Sequence, residues 1–178
     1  VQGDEGYSPI TGAAVTVQGV VVADYQGTAP ALGGFYLQEE DAEADTDPAT
    51  SEGLWIADQG SAASIDVAVG DVVQVTGTVS EASGLTQLIN ITAVNKTGTA
   101  ALPALTNITL PTANSIFLER YEGMRVQFRQ ILSVTGNSGA GGITDNYARF
   151  GELMLCSGEP LISPTEAVDP NDAVASGI

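Results

Sequence analysis

The sequence contains no histidine. That absence removes the commonest general base near neutral pH, the Ser-His and Cys-His dyads, and imidazole-ligated zinc or iron. Cysteine is almost missing as well. The single Cys156 forms neither an internal disulfide nor a cysteine cluster, and with no base beside it reads as a small packed side chain rather than a nucleophile. Positive charge is the third shortage. Five Lys and Arg stand against 22 Asp and Glu, the formal net charge is −17, and no cation precedes Lys96. Such a surface repels nucleic acid, whose affinity comes largely from cations that release counterions. It suits solubility in a salty setting, or a cationic or metal partner. No run of about 18 apolar residues exists, so no membrane span is expected. Val1-Gln2-Gly3-Asp4 has neither a basic n-region nor an apolar h-region, so any signal peptide is expected to have been removed already.

What is present points to an all-β chain. The composition is 43% hydrophobic, with 21 glycines and short runs of Val, Ile and Thr. The clearest stretch is Val67 to Val79. Gly70-Asp71 is a turn dipeptide; Val73, Val75, Gly77 and Val79 then share one face of an extended chain, and Gln74, Thr76 and Thr78 the other. That alternation predicts a half-buried strand, and the mid-strand Gly77 a bulge or bend. Ala13 to Ala23 reads the same way, with Gly19 interrupting the register. Phe35 to Gln38, Leu54 to Ala57 and Thr86 to Val94 complete five strands. Their order, with glycine bends in the first and fourth, predicts an OB-type five-stranded Greek-key barrel over residues 10–96.

Residues 97–115 read as an extended connector. Gly12 to Val20 then finds a weak echo in Gly123 to Ile131, and Gly34 to Leu37 another in Gly151 to Leu155. A Gly-rich run at 139–142 separates the two later segments, so 116–166 predicts a second, partial OB-like β unit. Residues 167–178 are a polar tail or linker.

The barrel's ligand face would lie on its middle strands and two flanking loops. That places Tyr36, Gln38 and Trp55 outward on the face, Tyr25 in the first loop and Gln87 beside the second. Two readings stand. The aromatics stack bases, worth roughly 1–3 kcal/mol each, or the later part of the chain covers them. The cations form one group: Arg120 with Tyr121, then Arg125 and Arg129 alternating with Val126 and Phe128, joined by Arg149. They make a phosphate-contacting stripe, or they pair with the abundant carboxylates. Asp41, Glu43, Asp45 and Asp47 recur at every second residue. Oxygen ligands at that spacing suit Ca²⁺, and Asp45, Asp47 and Glu52 are its candidate ligands, although the EF-hand glycine is missing. A solvated acidic loop is the competing reading. Carboxylate pairs arise by chance in so acidic a composition, so no glycosidase-like dyad is assigned.

Several motifs taken together resemble a known arrangement. They are Gly-Gly-Phe-Tyr-Leu-Gln (33–38), Asp-Pro-Ala-Thr-Ser-Glu-Gly (47–53), the Gly-Asp turn with its valines (69–81), Gly-Leu-Thr-Gln-Leu (84–88), Leu-Glu-Arg-Tyr-Glu-Gly-Met (118–124) and Arg-Phe-Gly-Glu-Leu (149–153). Over roughly residues 10–166 the chain resembles the OB-fold region of large secreted bacterial endonucleases of the endonuclease/exonuclease/phosphatase class. The resemblance implies an extracellular, non-catalytic accessory module, covalently linked to a nuclease domain, that binds or guides DNA or positions that domain. The family's metal-dependent chemistry needs a histidine-containing site, which this chain lacks. Two alternatives from other classes remain: a structural spacer or protein-interaction domain without nucleic-acid affinity, and a calcium- or carbohydrate-binding β module.

Overall fold

A computed structural model describes residues 1–3, 6–27, 31–45, 47–114, 116–136 and 153–159. The fold is mostly β, and its centre is a sheet of five strands, β1 (Ala14–Tyr25), β2 (Gly34–Gln38), β3 (Gly53–Ile56), β4 (Asp71–Ala82) and β5 (Leu85–Thr99). Neighbours run in the order β1-β2-β3-β5-β4, and β4 pairs back onto β1, so the sheet is closed. All pairings are antiparallel except β3 with β5, which is parallel and short: Trp55↔Gln87 and Ile56↔Leu88.

The alternation in β4 sends its valines inward as expected. Val73, Val75 and Val79 are fully or almost fully buried, with Val21, Phe35, Ile56 and Leu88 around them. Burial of such side chains contributes about 1.5–3 kcal/mol each and is the main stabilising force. The Gly70-Asp71 turn forms where predicted. Asp71 N–H donates to Ala68 O and the Asp71 carboxylate accepts Ala68 N–H, both at 2.9 Å. Lys96 completes the turn with an ion pair of 2.6 Å to Asp71, the one ion pair among the described residues. That partner holds the Asp71 carboxyl below the usual carboxylate range.

Both glycine bends have physical causes, but only one is the expected one. At Gly77 the β4–β5 register shifts between Thr76 and Thr78, as a bulge requires. At Gly19 the β1–β4 register runs through unbroken; the irregularity in β1 lies between Val21 and Ala23, against β2. Gly19 is instead a place of close approach, where a Cβ would stand 2.8 Å from Gln38 O. β5 also runs past Val94 to Thr99, because Lys96, Gly98 and Thr99 continue the pairing with β4 across a second irregularity.

The later part of the chain departs further from expectation. By contacts the chain divides into two compact units. The first is Val1–Ile108 with Thr112–Gln127, and the second Thr109–Pro111 with Phe128–Ile178. Residues 112–127 therefore belong with the barrel rather than opening a unit at 116. They do not repeat β1. Ile116–Tyr121 is a 3₁₀ helix, and a turn at Gly123 (φ 70°) follows. β7 (Val126–Phe128) is short and forms a two-stranded sheet with β6 (Thr106–Ile108), which lies inside the predicted connector. The periodic echo of β1 fails because Glu122 N–H and Met124 N–H are bonded back to Glu119 O and Tyr121 O, which coils this stretch. In the second unit β8 (Leu132–Gly136) pairs antiparallel with β9 (Met154–Ser157). The Gly-rich run at 139–142, Gly151, Arg149 and the tail at 167–178 lie outside the described residues.

Candidate functional site

The alternation of β2 and β3 directs Phe35, Leu37, Leu54 and Ile56 into the core and Tyr36 and Trp55 to the outer face, directly opposite one another. Tyr25, at the end of β1, extends the row. Tyr25 and Tyr36 meet edge to face with centroids 6.4 Å apart, and Tyr36 and Trp55 are tilted by 56° at 4.7 Å. The rings pack on one another in a herringbone and present no common plane for stacked bases.

The expectation of exposed aromatics is corrected here. Trp55 is 7% exposed, Tyr36 is half-buried, and only Tyr25 is open, at 46%. The Trp55 ring lies over Gly34, where a Cβ would come within 2.6 Å of Cζ2. The stretch 119–125 lies over Gly53 and beside Tyr36. A Cβ on Gly53 would collide with the backbone of Gly123 and Met124, and one on Gly123 would touch the Tyr36 ring at 3.3 Å.

Polar groups hold this cover in place. Ser51 Oγ donates to Glu122 O at 2.6 Å, and Arg125 N–H donates to Gln38 Oε1 at 2.8 Å. The Glu122 carboxylate accepts Thr86 N–H at 2.8 Å and the Gln2 amide at 3.3 Å. Burial pushes the Glu122 carboxyl up, and Glu119 and Glu81 push it further, while the Thr86 N–H and the Gln2 amide pull it down. Burial, then Glu122, then Tyr25 raise the Tyr36 hydroxyl in turn. Gln38, read as a ligand contact, is 4% exposed and spends its amide on the cover. Gln87 is half-buried at its pairing with Trp55.

A chain ending at Gln127 should keep the barrel's cooperative melt. One ending at Pro111 leaves Ser51 Oγ and Gln38 Oε1 without their partners. It should melt lower, by on the order of 5 °C. Calorimetry of the two chains checks this, and identical melts would show that 112–127 contributes nothing to the barrel.

Arg120, in the 3₁₀ helix, and Arg125, just before β7, do not share a strand face. Arg120 lies over the Phe117 ring at 4.6 Å, and Phe117 in turn meets Tyr121 edge to face at 5.7 Å. The Arg125 guanidinium donates to Pro103 O. Arg129 is exposed and falls in the other compact unit. Sequence alternation put Arg125 and Arg129 on one strand face, but β7 spans only Val126–Phe128 and both lie outside it. No family model matches the chain, and no curated protein or solved structure matches it either.

The acidic loop between β2 and β3 is organised by its own backbone. Asp47 N–H donates to Asp45 Oδ1 at 2.6 Å, and Ala49 N–H to Asp47 Oδ1 at 2.9 Å. Asp41 is turned away to accept Ala104 N–H. These are Asx turns, a local use of short carboxylates. Among the described residues no group of three or more His, Cys, Asp or Glu could hold a metal ion. Asp45 and Glu52 line one cleft, but Asp47 does not join them as a calcium-ligand set. Glu39 and Glu52, joined by a backbone bond from Glu39 N–H to Glu52 O at 3.1 Å, line a cleft of about 380 Å³ with Thr16, Val17, Leu37 and Leu54.

One buried group had no sequence signal. Asp58, 1% exposed, accepts the Gln26 amide at 2.6 Å and Ser64 Oγ at 2.5 Å. Gln26 also donates to Ile65 O and accepts Val67 N–H. A carboxylate so placed joins two loops at one end of the barrel.

Proposed function

We propose that the chain is a non-catalytic OB-type β-barrel module that serves as a spacer or docking domain. In this reading it positions a neighbouring domain, such as the nuclease domain of the secreted bacterial enzymes it resembles, and holds no DNA itself. The closed strand order β1-β2-β3-β5-β4 with a parallel β3–β5 closure supports the OB assignment. The observation that carries the functional reading is the state of the expected ligand face. Trp55 is 7% exposed, and the stretch 119–125 lies beside Tyr36. The net charge of −17 and the engaged Arg120 and Arg125 point the same way.

Fluorescence anisotropy with labelled single-stranded DNA, from low to moderate salt and with or without millimolar Ca²⁺, tests this. No binding is expected at any salt. DNA guidance is the second reading, and the exposed ring of Tyr25 at the end of the aromatic row favours it. Binding that weakens with salt and disappears in Tyr25→Ala would overturn the spacer reading and restore the second.

A further inference from the structure

The segment 112–127 meets β3 at Gly53 and β2 at Tyr36, yet it buries little of itself. Every residue of β2 and β3 except Tyr36 is buried. None of the described residues in 112–127 is. The side chains of its 3₁₀ helix face solvent or one another. Ile116 and Leu118 are exposed, and Phe117 packs with Arg120 and Tyr121. What meets the barrel is backbone. A Cβ on Gly53 would collide with Gly123 C and Met124 N, and Gly123, at a φ of 70° that favours glycine, faces Leu54 N and the Tyr36 ring. Burial of apolar side chains, the force that makes a segment unfold only with its core, is slight in this contact.

We infer that 119–125 is a lid on the aromatic row that opens while the barrel stays folded, with Glu122 as its fastening. Its hold on the aromatic face is polar. Ser51 Oγ donates to Glu122 O and Arg125 N–H to Gln38 Oε1, while Thr86 N–H and the Gln2 amide end on the Glu122 carboxylate. Water can replace each of these partners, so each bond adds only modestly to closure. The fastening also works against a like charge. Thr86 donates its hydroxyl to Glu81 at 2.8 Å, so a single residue holds two carboxylates together. The bonds from Glu122 N–H to Glu119 O and from Met124 N–H to Tyr121 O lie within the lid and travel with it. The pairings among β1 to β5 use no residue of 112–127, so lifting the lid breaks none of them.

Opening changes what the face offers. Closed, the row presents Tyr25. Open, it adds the Tyr36 ring, the Gln38 carboxamide released by Arg125 N–H and the Ser51 hydroxyl released by Glu122 O. These are an aromatic surface and uncharged hydrogen-bonding groups, set in a chain of net charge −17. The lid decides how much of that face a partner can reach. It goes beyond the spacer reading and holds whether the partner is a neighbouring domain or DNA.

Hydrogen exchange on the whole chain, in water and in low urea, tests the lid. The Arg125 amide, bonded to Gln38, and the Thr86 amide, bonded to the Glu122 carboxylate, report on the lid. The Val75 amide in β4 reports on the barrel. Corrected for intrinsic exchange, the first two should exchange about a hundredfold faster than Val75. Low urea should leave their rates unchanged, because a local opening exposes little surface. Equal protection and equal urea dependence at all three sites would make the segment part of the barrel and overturn the lid. Gly53→Ala sets a methyl against the lid backbone and should hold it open. Tetranitromethane, with the modified peptides read by mass, should then nitrate Tyr36 several-fold faster than in the parent while the far-ultraviolet circular dichroism is kept. Should that variant fail to fold, Glu122→Ala is expected to raise the Tyr36 rate in the same direction. A folded variant of either kind in which Tyr36 reacts at the parent rate overturns the inference.

Discussion

Gly34→Ala should lower the melting temperature of the barrel by about 10 °C and shift the emission of Trp55, the only tryptophan, to the red. Gly34 pairs with Tyr25 inside β2. A Cβ there would collide with Ile56 O, a backbone atom of β3, and would stand 2.6 Å from Trp55 Cζ2. The carbonyl cannot retreat without disturbing the Phe35↔Ile56 pairing, and the indole cannot move without leaving its bed. Overpacking of this kind costs typically about 1–3 kcal/mol, and the backbone contact puts Gly34 at the upper end. At roughly 3–4 °C per kcal/mol for a unit of this size, the shift in melting temperature follows. Gly98→Ala is the control, because no atom lies within 4 Å of its Cβ position and its φ needs no glycine. Its effect should stay within about 0.5 kcal/mol. If the two variants melt together and the emission is unmoved, the indole does not rest over Gly34.

The second large effect is expected at Asp58. Truncation to alanine removes the acceptor of the Gln26 amide and of Ser64 Oγ at a site 1% exposed. Each donor then loses a charged acceptor, a hydrogen-bond type worth about 1.5–3 kcal/mol, and stays partly buried. The sum is roughly 3 kcal/mol, because Gln26 keeps its bonds to Ile65 O and Val67 N–H. Asp58→Asn retains an oxygen for the same donors and should cost about 1 kcal/mol. Urea unfolding with an unchanged m-value measures both. A loss below about 1 kcal/mol in Asp58→Ala would mean that backbone bonds such as Ser61 N–H to Asp58 O already hold these loops.

The barrel was largely legible because its signals are local. Alternation in β4, the Gly70-Asp71 turn and the bulge glycine at Gly77 each act within a few residues, and each appears where the sequence places it. The aromatic face was legible only in half. Alternation correctly sends Tyr36 and Trp55 outward, yet outward is not exposed. Glu122 and Gly123, which reach the face of β2 and β3, lie more than 65 residues beyond it in sequence. No periodicity reports such a distant partner. The Asp45 and Asp47 spacing misled for a related reason. Alternate carboxylates suit a cation and suit Asx turns equally, and here the neighbouring backbone N–H groups claimed them. Asp58 left no trace at all, since its partners Gln26 and Ser64 come from two separate loops.

The parallel seam between β3 and β5 has a further consequence. A closed sheet has no edge strand, and so offers no row of unpaired peptide groups to a neighbouring molecule. The β4–β5 pairing runs from Asp71↔Thr99 to Ala82↔Leu85, whereas the seam consists of Trp55↔Gln87 and Ile56↔Leu88. Opening the ring therefore sacrifices least at that point. What results is an open sheet ordered β3-β2-β1-β4-β5, whose two outer strands already match each other. The absence of an open edge in this sheet thus rests on two residue pairs, one of which carries the protein's only tryptophan.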